Sequence, residues 1–73
     1  MSPEHIAAVF GRVLNLTHVT LHADFFDLGG DSLLGTRVLS AIARDLGADL
    51  TYDDLVANPT PAALFDLVAA VTP

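Results

Sequence analysis

The chain contains no cysteine and no lysine, and none of its apolar stretches nears the roughly 18 uninterrupted residues that a membrane span requires. Without cysteine, neither a disulfide framework nor a thiolate metal site can hold the protein together. Basic residues are equally scarce. Three Arg face nine Asp and Glu, and the formal net charge of −6 leaves no basic footprint for nucleic acid and sets the chain against anionic membrane surfaces. The opening Met1-Ser2-Pro3-Glu4-His5 lacks a basic region followed by an apolar one, so no secretory leader is expected. What is present is apolar. Hydrophobic residues make up 52% of the chain and charged residues 16%, the reverse of a disordered tail. The 73 residues suit a single domain over 1–73 that buries roughly 60% of its unfolded surface. The composition implies a soluble, acidic, cytoplasmic helical domain with little volume to spare for a deep catalytic pocket.

Gly and Pro divide the chain. Ser2 and Pro3 read as a cap and first helical residue, and Ile6, Val9, Phe10, Val13 and Leu14 then fall at helical spacing, with Glu4, Arg12 and Asn15 opposite. From Leu16 to Gly30 the helical period fails. A stretch this long without structure is usually functional, and its large residues Val19, Leu21, Phe25, Phe26 and Leu28 are expected to pin it to the body, with room for a short helical turn. Asp31 caps a second helix from Ser32 to about Leu46, stopped by Gly47. Thr51-Tyr52-Asp53-Asp54 spells a capping box that opens a short third helix through Leu55 and Val56, and Asn58-Pro59 stops it. Thr60-Pro61 starts a fourth, whose buried stripe is Leu64, Leu67, Val68 and Val71. The expected fold is an all-α four-helix bundle with a long first loop and a short third helix. Phe10, Phe26, Leu34, Val38, Ile42, Leu64 and Val68 are the expected core.

Two residues of the second helix break its pattern. At about 100° per residue, Leu34, Val38, Leu39, Ala41, Ile42 and Leu46 share the core arc, and Ser32, Thr36, Arg37, Ser40 and Arg44 the other. Leu33 sits inside that polar arc. Lone surface leucines are common, but beside Ser32 and two glycines this one reads as a docking contact for another protein. Gly35 costs the helix roughly 1 kcal/mol relative to Ala. It either permits close approach of a neighbouring segment or is tolerated drift, and the second reading is the simpler.

The chemistry concentrates at Asp24-Phe25-Phe26-Asp27-Leu28-Gly29-Gly30-Asp31-Ser32-Leu33. The glycines allow a sharp turn that leaves Ser32 uncrowded. Ser32 lies in the first turn of the second helix, where free N–H groups and the positive dipole end favour an anion such as a phosphate ester. Asp31 serves as the cap. Taken alone, Gly-Gly-Asp-Ser would be a tight turn and a helix start.

The string DFFDLGGDSLL, from Asp24 to Leu34, resembles the thiolation motif of peptidyl carrier proteins from nonribosomal peptide synthetases. The resemblance runs through the second helix to Leu50 and into Asn58-Pro59-Thr60-Pro61-Ala62-Ala63-Leu64, and so covers nearly the whole chain. It implies an acyl-carrier-protein-like bundle without its own catalysis. Ser32, set among Gly30, Asp31 and Leu33, would receive 4′-phosphopantetheine from coenzyme A through a separate Mg-dependent phosphopantetheinyl transferase. The arm's thiol would hold aminoacyl or peptidyl groups as thioesters. The implied partners are adenylation and condensation domains, with epimerisation, thioesterase or tailoring domains as further candidates, met by a monomeric domain across Leu28, Leu33, Thr36, Arg37 and Tyr52. Gly35 stands where the family often has Ala, Leu55-Val56 replaces a commoner Leu-Phe, and Asp31 stands where many elongation-type carriers have His. Met1 and the end at Pro73 suit a piece excised from a longer synthetase.

Other readings are weaker. An acyl carrier protein of polyketide or fatty acid synthesis shares the fold but presents an acidic second helix, whereas this one carries Arg37 and Arg44 with no acid between Asp31 and Asp45. Gly30-Asp31-Ser32-Leu33 also spells the signature of GDSL-type esterases, but a nucleophilic serine needs a base within reach, and no histidine follows His22. His18 and His22 have the spacing of a metal pair, which works only on a helix. Asp27 and Asp31 lack the closing Glu of a calcium loop. No metal site and no catalytic residue is therefore expected. A purely structural interaction bundle is the remaining alternative.

Overall fold

The computed structural model describes residues 2–72. Met1 and Pro73, on which the reading of an excised piece rests, lie outside the described residues. Four helices follow in order: α1 (Pro3–Leu14), α2 (Ser32–Leu46), α3 (Tyr52–Ala57) and α4 (Pro61–Val71), with no strand among the described residues. Local chemistry accounts for most of their ends. Asp31 accepts from the N–H of Leu34, Thr60 from that of Ala63, and both helices that begin with Pro place it where a missing N–H costs nothing. Thr51 and Asp54 form the reciprocal capping box, at 3.1 and 2.9 Å. Gly47 ends α2 in the left-handed region, at φ 70°. The one cap that falls short is Ser2, which precedes α1 without a side-chain hydrogen bond to it.

α1 is the hub, packed against both α4 and α2, and α3 rests on α2. The core between them joins Ile6, Val9, Phe10, Phe25, Val38, Ala41, Ile42, Ala48, Leu55, Leu64 and Val68. Three expectations need correction. Phe26 is only partly buried, and its neighbour Phe25 is the fully buried ring. Phe25 meets Phe10 edge-on at 5.1 Å and Phe26 at 5.3 Å. Leu34 lies at the margin rather than the centre, partly buried against the cluster. Val71, the last residue of α4, is 54% exposed rather than part of a buried stripe.

The long connection between α1 and α2 is fastened rather than free. The N–H of Phe25 donates to the carbonyl of Pro59 at 2.7 Å, and that of Ala62 to the carbonyl of Leu21 at 3.0 Å. These bonds stitch the connection to the start of α4. Its local order is turns, at 21–22 and in a longer run over 25–29, rather than a helix.

Candidate functional site

The turn that delivers Ser32 is built by Asp24 and by glycine. One Asp24 carboxylate oxygen accepts from the N–H groups of Phe26 and Asp27, at 2.8 and 3.1 Å. The backbone then closes on itself through Leu28 to Asp24, Gly29 to Phe26 and Gly30 to Phe25, at 3.0–3.1 Å. Gly29 adopts φ 102°, a conformation that side chains rarely tolerate. A Cβ on Gly30 would clash with the edge of the Phe25 ring. The buried ring and the turn therefore specify each other, and the same packing that fills the core aims the start of α2 outward.

Asp31 is extended, and its carboxylate accepts from Leu34 N at 2.9 Å. That oxygen is turned back onto the helix end and caps it. Ser32 follows, exposed, in the first turn of a helix with no acidic residue in that turn. Its carbonyl accepts from the Thr36 hydroxyl at 2.9 Å, which holds Thr36 along the same side. The N–H groups of Ser32 and Leu33 precede the first intrahelical bond and remain available at the positive end of the dipole.

The flanks of Ser32 differ. Leu33 is 63% exposed and lies about 100° round the helix from Ser32. Thr36 and Arg37, both exposed, lie on that flank too. On the other flank is Gly35, buried, where an added Cβ would meet Leu55 and Tyr52 at 3.0 Å. Gly35 is thus not drift: it lets α3 approach, and the drift reading is corrected on that contact. Tyr52 leans over Gly35 and edge-on to Phe26, with ring centroids at 6.3 Å, and stays 37% exposed. Leu28 is partly buried against the core. Of the sequence-derived surface residues, Leu33, Thr36 and Arg37 form one stripe, while Tyr52 belongs to the opposite flank of α2.

Leu33, Thr36, Arg37, Ser40, Ala41 and Arg44 also face Arg12 and Val13 of α1 across an open depression of about 350 Å³. The helical wheel of α2 shows that stripe, but nothing local to α2 announces that α1 supplies its second wall. A second depression, of about 840 Å³, lies between α1 and residues 15–21 and shares with the first only Arg12. His18 and His22 stand in this irregular connection, where a four-residue spacing does not put two rings on one helix face.

Asp45 gathers Arg44 at 3.1 Å, His5 at 3.3 Å and Arg12 at 3.4 Å, tying α2 to α1. The Arg44 hydrogen bond, then that of His5, hold its carboxyl below the usual carboxylate range against an opposing effect of burial. Among the described residues no helix is long and apolar enough to cross a membrane.

The sequence pattern of the family described as "Phosphopantetheine attachment site" matches residues 4–68. Among curated relatives, the chain is 51% identical over 63 residues to the isonitrile lipopeptide synthase of Mycobacterium tuberculosis, covering 86% of this chain and 2% of that protein. It is 38% identical over 73 residues to a dimodular nonribosomal peptide synthase of Bacillus subtilis, covering 96% of this chain and 3% of that one. It therefore spans only a few per cent of the length of the curated relatives it matches. In structure it is similar to a chain in the complex of the phosphopantetheine transferase Sfp with coenzyme A and a peptidyl carrier protein. The TM-score is 0.91 at 28% identity, covering 96% of this chain and 91% of that one.

Proposed function

The chain belongs to the phosphopantetheine-attachment family, a family of carriers rather than catalysts, and from that premise we propose that Ser32 is the residue that bears the 4′-phosphopantetheine arm. The carrying observation is the exposure of Ser32 in the first turn of α2, directly after the Asp31 carboxylate that caps the helix. A phosphodiester on Ser32 Oγ fits that place: it meets the positive helix end and unclaimed N–H groups, and the turn of Gly29 and Gly30 leaves it uncrowded. When attached, the arm supplies a thiol that holds an acyl group as a thioester. The protein's own part is to present the tether, keep it in solvent and offer Leu33 and its neighbours as a handle.

We place residues 1–73 as one carrier domain of a nonribosomal peptide synthetase in the cytoplasm. Its arm comes from coenzyme A through a phosphopantetheinyl transferase, and its acyl groups pass between adenylation, condensation and further domains. The likeness to named peptide synthases supports this setting. The acyl-carrier alternative is disfavoured by α2 itself, which carries Arg37 and Arg44 with no acid between the cap Asp31 and Asp45.

The test is intact mass after incubation with coenzyme A, Mg²⁺ and a promiscuous transferase. One phosphopantetheinyl group is expected on the wild-type chain and none on Ser32→Ala, whose circular dichroism and unfolding midpoint stay those of the wild type. Loading that persists in Ser32→Ala, or loss of fold in it, refutes the assignment.

A further inference from the structure

All three arginines of an acidic chain line one depression, and none of its nine acids does. Arg12 and Arg44 remain 62% and 69% exposed even while they touch Asp45. Arg37 has no carboxylate within ion-pair distance among the described residues, since the ion pairs there all converge on Asp45. Apolar surface is set among these charges. Leu33 stands at the Ser32 end at 63% exposure, and Val13 and Ala41 form part of the wall. Hydroxyls of Thr36 and Ser40 complete the stripe. On α2 these residues follow the spacing i, i+3, i+4, i+7, i+8 and i+11, a continuous strip of one helix face.

From this we infer that the α1–α2 depression is the docking groove for an acidic segment of a partner domain. The segment's carboxylates pair with Arg37 and compete with Asp45 for Arg12 and Arg44, while its apolar residue covers Leu33. The inference rests on the carrier reading and deepens it. It names the chemistry of the partner, and it carries the contact surface away from Tyr52, down α2 and onto α1. Charge complementarity selects the occupant. A basic partner would be drawn to the acidic remainder of the molecule, and a purely apolar one would leave Arg37 desolvated and unpaired.

The experiment titrates the ¹⁵N-labelled 73-residue chain with three short amphipathic helical peptides of identical leucine pattern, whose polar face is glutamate, glutamine or lysine. The expected result is chemical-shift change confined to the groove, Arg12 and Val13 on α1 and the stripe from Leu33 to Arg44 on α2, with the glutamate peptide, fading as salt is raised. Arg37→Glu weakens that binding about tenfold or more, whereas Ala69→Glu, an exposed position on α4, leaves it within error. Absence of shifts, equal shifts with the glutamine peptide, or shifts centred on α3 with the lysine peptide each overturn the inference. Transferase loading of the same sample is read by mass in parallel. A chain that fails to load tells against Ser32 as the tether, and the titration reports the groove separately.

Discussion

At Gly35 two costs compete. A glycine inside a helix sacrifices roughly 1 kcal/mol against Ala, yet an alanine methyl there would press on Leu55 and Tyr52 at 3.0 Å. Leu55 is fully buried and cannot give way, whereas Tyr52 is part-exposed and can swing outward. Overpacking typically costs about 1–3 kcal/mol, so Gly35→Ala is expected to lose about 1 kcal/mol net in urea unfolding. Tyr52 is the sole tyrosine in a chain without tryptophan, so its emission reports the displacement directly. Unchanged stability together with unchanged emission would show that α3 does not lean on Gly35. Ser32 behaves differently: it stands exposed one residue after the cap, and its own side chain fills no contact of this kind.

Among the elements, α3 depends most on its cap. Six residues cannot sustain an isolated helix, so its order comes from Leu55 in the core and from the Thr51–Asp54 box. Thr51→Ala is expected to cost about 1 kcal/mol. It should also raise hydrogen exchange in α3 before it does so in α1, and exchange that rises uniformly would deny α3 any separate dependence on the box. The α1–α2 pair has its own tie at Asp45. The folded carboxyl titrates below its ordinary value of 3.8, chiefly because Arg44 and then His5 bond it. The unfolded chain therefore takes up the proton first, and the tie stabilises the fold above that value and is lost as pH falls through the lowered one. The stability gap between wild type and Asp45→Asn should hold steady near neutrality and close in acid. A gap that widens on acidification would reverse the sign.

For the whole molecule, the decisive piece is a loop residue. Phe25 reaches the centre of the bundle from the connection between α1 and α2, touches Phe10 and backs the turn at Gly30. Phe25→Ala is expected to cost about 3–5 kcal/mol, out of about 4–11 kcal/mol for a domain of 73 residues. Phe26→Ala should cost clearly less, because that ring is only partly buried. Since the turn that presents Ser32 is built around Phe25, the first substitution should slow transferase loading at temperatures where the chain is still mostly folded, and the second should not. Equal losses from both would mean that the two rings share the core.

The amino-acid sequence by itself determined the helix boundaries, the capping box, the outward Leu33 and the accessible Ser32. Each follows from residues within one turn of each other: a cap and its N–H, a proline at a helix start, a glycine at a helix end, a leucine out of phase with its own stripe. Only the tertiary structure decided which of two adjacent phenylalanines enters the core, why Gly35 must lack a side chain, and that α1 lends Arg12 and Val13 to the strip beside Ser32. Those outcomes depend on where distant segments meet, and a periodicity read along one helix holds no information about the partner that packs across it.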